Sequence, residues 1–131
     1  MTKVHLGRSL VGLVSLFFMG TGLALMLSPA GMLVHMFIDP IETASGLSSV
    51  RALWGGNIVA VWASVLWGVI KNNAAFFIAG FLALTMTLLG RVFGLVIDGS
   101  FTELVANIIP TLVALAMMAT GTRLMNPRFI V

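Results

Sequence analysis

The sequence predicts an all-α integral membrane protein, a four-helix bundle with both termini in the cytoplasm, and three observations carry that expectation. Of its 131 residues, 60% are hydrophobic and 8% charged, whereas a soluble domain carries roughly 25% charge. The charges leave uncharged stretches at 9–38, 52–70, 72–90 and 104–122, each long enough for one membrane-spanning helix of about 20 residues. Lys3, Arg8, Lys71, Arg123 and Arg128 all fall on one side of such a four-span chain, and the side rich in Lys and Arg faces the cytoplasm. The four acids, Asp39, Glu42, Asp98 and Glu103, then lie at the outer face.

The chain reads as one transmembrane domain over residues 1–131, with spans near 9–27, 50–70, 74–97 and 101–121 and an outer interfacial segment at 29–45. Lys3 and Arg8 ahead of an apolar run, with Ser28-Pro29-Ala30 after it, imitate a secretory signal. The run from Ser9 to Leu27 is longer than a usual signal core, so it is read as a retained first span. Ser28-Pro29 then opens an apolar piece, Ala30 to Ile38, too short to cross. In Asp39-Pro40-Ile41-Glu42 an N-cap acid, a proline at the first helical position and an acid in the first turn predict a helix start before the second span. Gly46 is placed to break or bend that helix. Asp98-Gly99 supplies a turn, and Ser100-Phe101-Thr102-Glu103 is a capping box opening the fourth span.

Within the spans, small residues have a packing role. Gly90 and Gly94 form a small-xxx-small spacing, and Gly55-Gly56 is a second close-approach pair, of the kind that lets helices associate where lipid offers no hydrophobic drive. Asn57 and Asn107 are polar residues expected to bond across helices. Pro110 leaves the Ala106 carbonyl without its donor and is expected to bend the fourth span. Ser15 and Ser64 are expected to bond to backbone within their own helices.

Two basic residues break the topological pattern. Arg51 lies near the outer end of the second span and Arg91 seven residues before Asp98 in the third, where an arginine costs about 2–3 kcal/mol unless paired or snorkelling. Direct pairing of Arg91 with Asp98 is disfavoured, because side chains lean toward the helix N-terminus, so a neighbouring helix should supply its acid or carbonyl. Two readings follow. Arg51, Arg91, Asp98, Glu103, Asp39 and Glu42 form a structural ion-pair network, or the two guanidiniums converge on an anion at the outer leaflet, such as a lipid phosphate or a carboxylate-bearing molecule.

Other chemistry is thinly supplied. The chain has no cysteine and no tyrosine, which removes disulfides, zinc–thiolate sites, iron–sulfur clusters and a thiol nucleophile. Phosphate-loop, dinucleotide and HExxH patterns do not occur, and no acid lies near the middle of a predicted span, where a proton-coupled exporter would require one. A net charge of +3 from so few charges makes a poor footprint for nucleic acid. A weak metal candidate is Met32, His35, Met36 and Asp39, which would share one face of a continuous helix and whose thioethers suit Cu(I). No cofactor is expected.

Arg51-Ala52-Leu53-Trp54-Gly55-Gly56, then Gly90-Arg91-Val92-Phe93-Gly94 running on to Asp98-Gly99, resembles domain-of-unknown-function family 4345, a set of small bacterial four-helix membrane proteins. A more distant likeness is to the DoxX-like four-helix proteins. The resemblance implies a multi-pass protein of the bacterial inner membrane in which Arg51, Gly55-Gly56, Arg91 and Asp98 act together; it implies no reaction. The expected function is therefore non-catalytic: an accessory or structural subunit packing against a larger membrane complex, or alternatively a module binding a lipid or other anionic amphipath at Arg51 and Arg91. The expected partners are the bilayer and other membrane subunits or copies of the chain, with a lipid as the possible bound molecule.

Overall fold

The computed structural model describes residues 2–97, 99 and 104–125, apart from the side chains of Leu104, Val105 and Asn107. The described residues form helices α1 (Lys3–Leu27), α2 (Pro29–His35), α3 (Ala44–Ser49), a π-helical segment (Val50–Gly56), α4 (Asn57–Lys71), a 3₁₀ turn (Ala74–Phe76), α5 (Phe77–Ile97) and α6 (Leu104–Met125). Four continuous stretches, 3–27, 44–71, 74–97 and 108–125, are long and apolar enough to cross a membrane. The chain is thus an all-helical, multi-pass membrane protein. The third span matches its predicted bounds. The first starts at Lys3 rather than Ser9 and the second at Ala44 rather than Val50.

The helices form an antiparallel ring in which α1 packs on α4 and α6, and α5 closes the ring against the same two helices. Close backbone approaches fix the register. A Cβ on Gly7 would lie 2.5 Å from the Gly121 carbonyl oxygen, which places the start of α1 beside the end of α6. A Cβ on Gly22 would lie 3.0 Å from the Gly55 carbonyl oxygen, so the far end of α1 meets the π segment. Val11, Val14, Trp62, Val65, Phe77, Leu84 and Met118 fill the ring. Arg8, Lys71 and Arg123 sit at the end holding the N-terminus, and Asp39 and Glu42 at the other.

Helix ends follow local chemistry. Pro29 stands at the first position of α2, where its missing N–H is not needed. α4 stops at Asn72 in the left-handed conformation, φ 52°, a usual asparagine C-cap. The Asn73 side chain then accepts from Ala75 N–H at 3.0 Å to start the 3₁₀ turn. Ser15 Oγ donates to Val11 O at 2.8 Å and Ser64 Oγ to Val61 O at 2.6 Å, both within their own helices as expected.

Three local expectations are overturned. The helix leading into the second span starts at Ala44, capped by Thr43, whose Oγ1 accepts from Gly46 N–H at 3.2 Å. Asp39 and Pro40 stay outside it, because Phe37 has turned left-handed at φ 59° and the chain must run on irregularly to Thr43. Gly46 lies inside α3 beneath Ile41 and Thr43 rather than ending it. Asn57 does not reach across helices: its Nδ2 donates to Leu53 O at 2.6 Å in its own helical stretch, an acceptor always within reach one turn back. The capping box at 100–103 and the side chain of Asn107 lie outside the described residues.

Candidate functional site

The site grows from one face of α5. Ala83, Leu84, Thr87 and Arg91 follow helical spacing and so point to the same side. They line a cavity of about 240 Å³ inside the ring, closed by Phe18 and Thr21 of α1, Met36 just after α2, Ile58 and Trp62 of α4, and Thr111 of α6. Every span contributes to it. Arg91 stands six residues before the end of α5, about 9 Å along the axis at 1.5 Å per residue, which puts its head well within the bundle.

Polarity in this cavity is one-sided. Thr87 Oγ1 donates to Ala83 O at 2.8 Å and Thr21 Oγ1 donates to Phe17 O at 3.1 Å, so both hydroxyl protons are spent on backbone. Arg91 is half-buried. Among the described residues its guanidinium has no hydrogen-bond partner. The cavity therefore offers the guanidinium donors of Arg91, with no acceptor for them among the described residues, on an aromatic and aliphatic floor. Trp62 is 3% exposed and stacks on Phe18 with centroids 4.6 Å apart at 13°, which holds that floor flat.

Arg51 behaves differently. It is exposed on the π segment, and its Nε donates to Met26 O at 3.1 Å, satisfying a carbonyl in the last turn of α1 that has no helical donor of its own. Instead of the outer acids of the expected ion-pair network Arg51 takes this carbonyl, because the Gly22–Gly55 approach brings α1 within reach. Arg51 does not line the Arg91 cavity. Asp39 and Glu42 are exposed and pair with neither arginine among the described residues, while Asp98 and Glu103 lie outside them. The six-residue charge cluster is thus not assembled among its described members.

The other sequence candidates also separate. Gly55 is buried with its Cβ position 3.1 Å from Gly22 O. Gly56 meets only the Arg51 carbonyl, at 3.7 Å. Gly90 faces open space, with nothing within 4 Å, so it is no contact within this bundle; Gly94 is half-buried. The metal set does not form: Met32 and Met36 pack against the cluster of Leu25, Leu33 and Val50, His35 ends α2 exposed, and Asp39 is beyond the left-handed break at Phe37. Among the described residues no group of three or more His, Asp or Glu is placed to hold a metal ion. Pro110 lies inside α6 and lines a second, apolar hollow with Phe18.

Sequence reasoning did not foresee the π segment or the role of Trp62. A π turn is a rare single-turn insertion in an α-helix, and residues 50–56 carry no motif that sets them apart from the helix on either side.

The family described as Domain of unknown function (DUF4345) matches residues 6–120. The chain belongs to that family. No curated protein and no solved structure shows a significant match to it. The DUF4345 match reaches into all four spans and includes every residue that lines the Arg91 cavity.

Proposed function

We propose that this DUF4345 protein is a non-catalytic membrane module that holds the acceptor-bearing, anionic end of an amphipathic molecule in the Arg91 cavity. One observation carries the reading: a half-buried guanidinium in a membrane-spanning helix, without a partner among the described residues, faces a cavity that every span helps to line. A charge at such depth is retained at a cost of about 2–3 kcal/mol, and an incoming anion offsets that cost with charge-assisted hydrogen bonds. The threonine hydroxyls bound to backbone present lone pairs, which suit a hydroxyl or amide next to the anion. The positive-inside rule supports the end with Lys3, Arg8, Lys71 and Arg123 as cytoplasmic, with the cavity nearer the outer leaflet of a bacterial inner membrane.

A second reading is supported by α5. Only 11% of its span is buried, against 28% for each of the others, and Ile78, Leu82, Met86, Val92, Phe93 and Val96 stand outward. A partner helix, from a larger complex or another copy of this chain, would cover that face.

Native mass spectrometry of the protein gently extracted from its membrane separates the two. The binding reading expects a stoichiometric non-protein mass that is kept by Arg51→Gln and lost by Arg91→Gln. Stoichiometric protein partners with no small-molecule mass would overturn it in favour of the accessory role.

A further inference from the structure

The apolar hollow beside the Arg91 cavity adds to this reading. It measures about 360 Å³ and lies between α1 and α6, with Leu13, Phe17, Phe18, Pro110, Val113 and Met117 in its walls. Phe18 lines both spaces. On α6, Pro110 lines the hollow and the next residue, Thr111, lines the Arg91 cavity. The two spaces are therefore divided by the Phe18 ring and one turn of α6.

We infer that the two spaces form one site for an anionic amphipath with a long acyl chain: its head lies at Arg91, and its chain passes Phe18 into the groove between α1 and α6. This inference rests on the proposed binding function and extends it from the head to the whole ligand. Three observations support it. The polar donors are confined to the Arg91 side, while the groove walls are apolar throughout, which matches the division of an amphipath. From Thr21 in the cavity to Leu13 at the far end of the groove is eight residues of α1, about 12 Å at 1.5 Å per residue, close to the depth of one leaflet of a hydrocarbon layer about 30 Å thick. Leu13, Phe17 and Val113 are 59%, 66% and 51% exposed, so the groove is open on its outer side and a chain enters sideways from the bilayer.

Pro110 lines the groove from within α6. Without an N–H it cannot donate to the carbonyl one turn back, and its ring keeps that turn from closing tightly. In the inferred site the Phe18 ring, stacked on Trp62, is the group that stands between the two spaces. A phenyl ring that turns off the indole joins the two spaces without backbone motion, and the chain then replaces the lost stacking contact.

The test uses Trp62 as the reporter in full-length protein carrying Trp54→Phe and Trp67→Phe, reconstituted in nanodiscs of zwitterionic lipid. The probes are 9,10-dibromostearic acid, its methyl ester, and 6-bromohexanoic acid, each quenching indole fluorescence on contact. The long acid should quench saturably, the ester should quench only as far as its partition into lipid dictates, and Arg91→Gln should remove the saturable component. Filling the groove from its exposed walls, with Leu13→Phe and Val113→Phe together, should weaken the long acid about tenfold or more, equivalent to about 1.4 kcal/mol, and leave the short acid unchanged. If the groove variant binds the long acid as well as the parent does while Arg91→Gln still fails, the chain path is wrong and the head site stands. If neither acid quenches saturably, or the ester matches the acid, the head site itself is wrong. A brominated phosphatidic acid run alongside tells a phospholipid source from a free fatty acid.

Discussion

Gly22 of α1 and Gly55 of the π segment approach so closely that a Cβ on either would lie 3.0–3.1 Å from the other's carbonyl oxygen. This crossing ties the outer end of α1 to the second span and sets where Arg51 and the Arg91 cavity lie. A branched side chain at either position must push two backbones apart. Gly22→Val and Gly55→Val should each destabilise the bundle by about 1–3 kcal/mol, the usual range for overpacking, read as a lower thermal midpoint in mild detergent.

Gly90 gives the opposite expectation. It is mid-helix in α5 with open space where a Cβ would go, and glycine in a helix interior costs about 0.5–1 kcal/mol relative to alanine. Gly90→Ala should leave the midpoint unchanged or raise it slightly. A marked loss of assembly without loss of monomer stability would instead show that Gly90 meets a partner helix.

Phe37 sits at φ 59°, a region where a bulky residue is strained by about 1–2 kcal/mol. It is 60% exposed, so little packing opposes relief of that strain. Phe37→Gly should raise stability by roughly 1 kcal/mol, offset in part by the freedom glycine adds to the unfolded chain, as measured by equilibrium unfolding in mixed micelles.

Much of the bundle was legible in advance because the membrane imposes it: an uncharged stretch of sufficient length must be a helix where no water can satisfy backbone groups. The helical stretch at 74–97 begins just past Asn72-Asn73, where left-handed Asn72 ends α4. The candidate site was legible only in part. Arg91 stood out by being a charge inside a span, and it does line a cavity. Its grouping with Arg51 failed because the sequence does not reveal the Gly22–Gly55 crossing that delivers Met26 O to Arg51. The Met32–Asp39 metal set failed for a similar reason. It assumed one continuous helix, and a single left-handed residue at Phe37 ends it. Nothing in the sequence separates Trp62 from Trp54 and Trp67; its stack on Phe18 follows from the packing of α1 on α4.

The two arginines should now part company under mutation. Arg51 is exposed and makes a single bond to Met26 O at 3.1 Å, so Arg51→Gln should cost about 1 kcal/mol of stability, the usual net worth of one hydrogen bond. It should leave the affinity for an anionic amphipath within about twofold, since 1.4 kcal/mol is needed for a factor of ten. Unfolding and binding measured on the same preparation check both halves.

The Arg91 guanidinium is the anion-recognising group in the function proposed for this protein. The most direct measurement is the equilibrium affinity of the nanodisc-embedded protein for dodecyl phosphate, for wild type and Arg91→Gln, with dodecanol as the uncharged control. Loss of a charge-assisted contact worth about 1.5–3 kcal/mol predicts that the substitution weakens dodecyl phosphate by roughly 10- to 150-fold, with dodecanol unaffected. Equal affinity of wild type and Arg91→Gln for dodecyl phosphate would rule out Arg91 as the anion-recognising group.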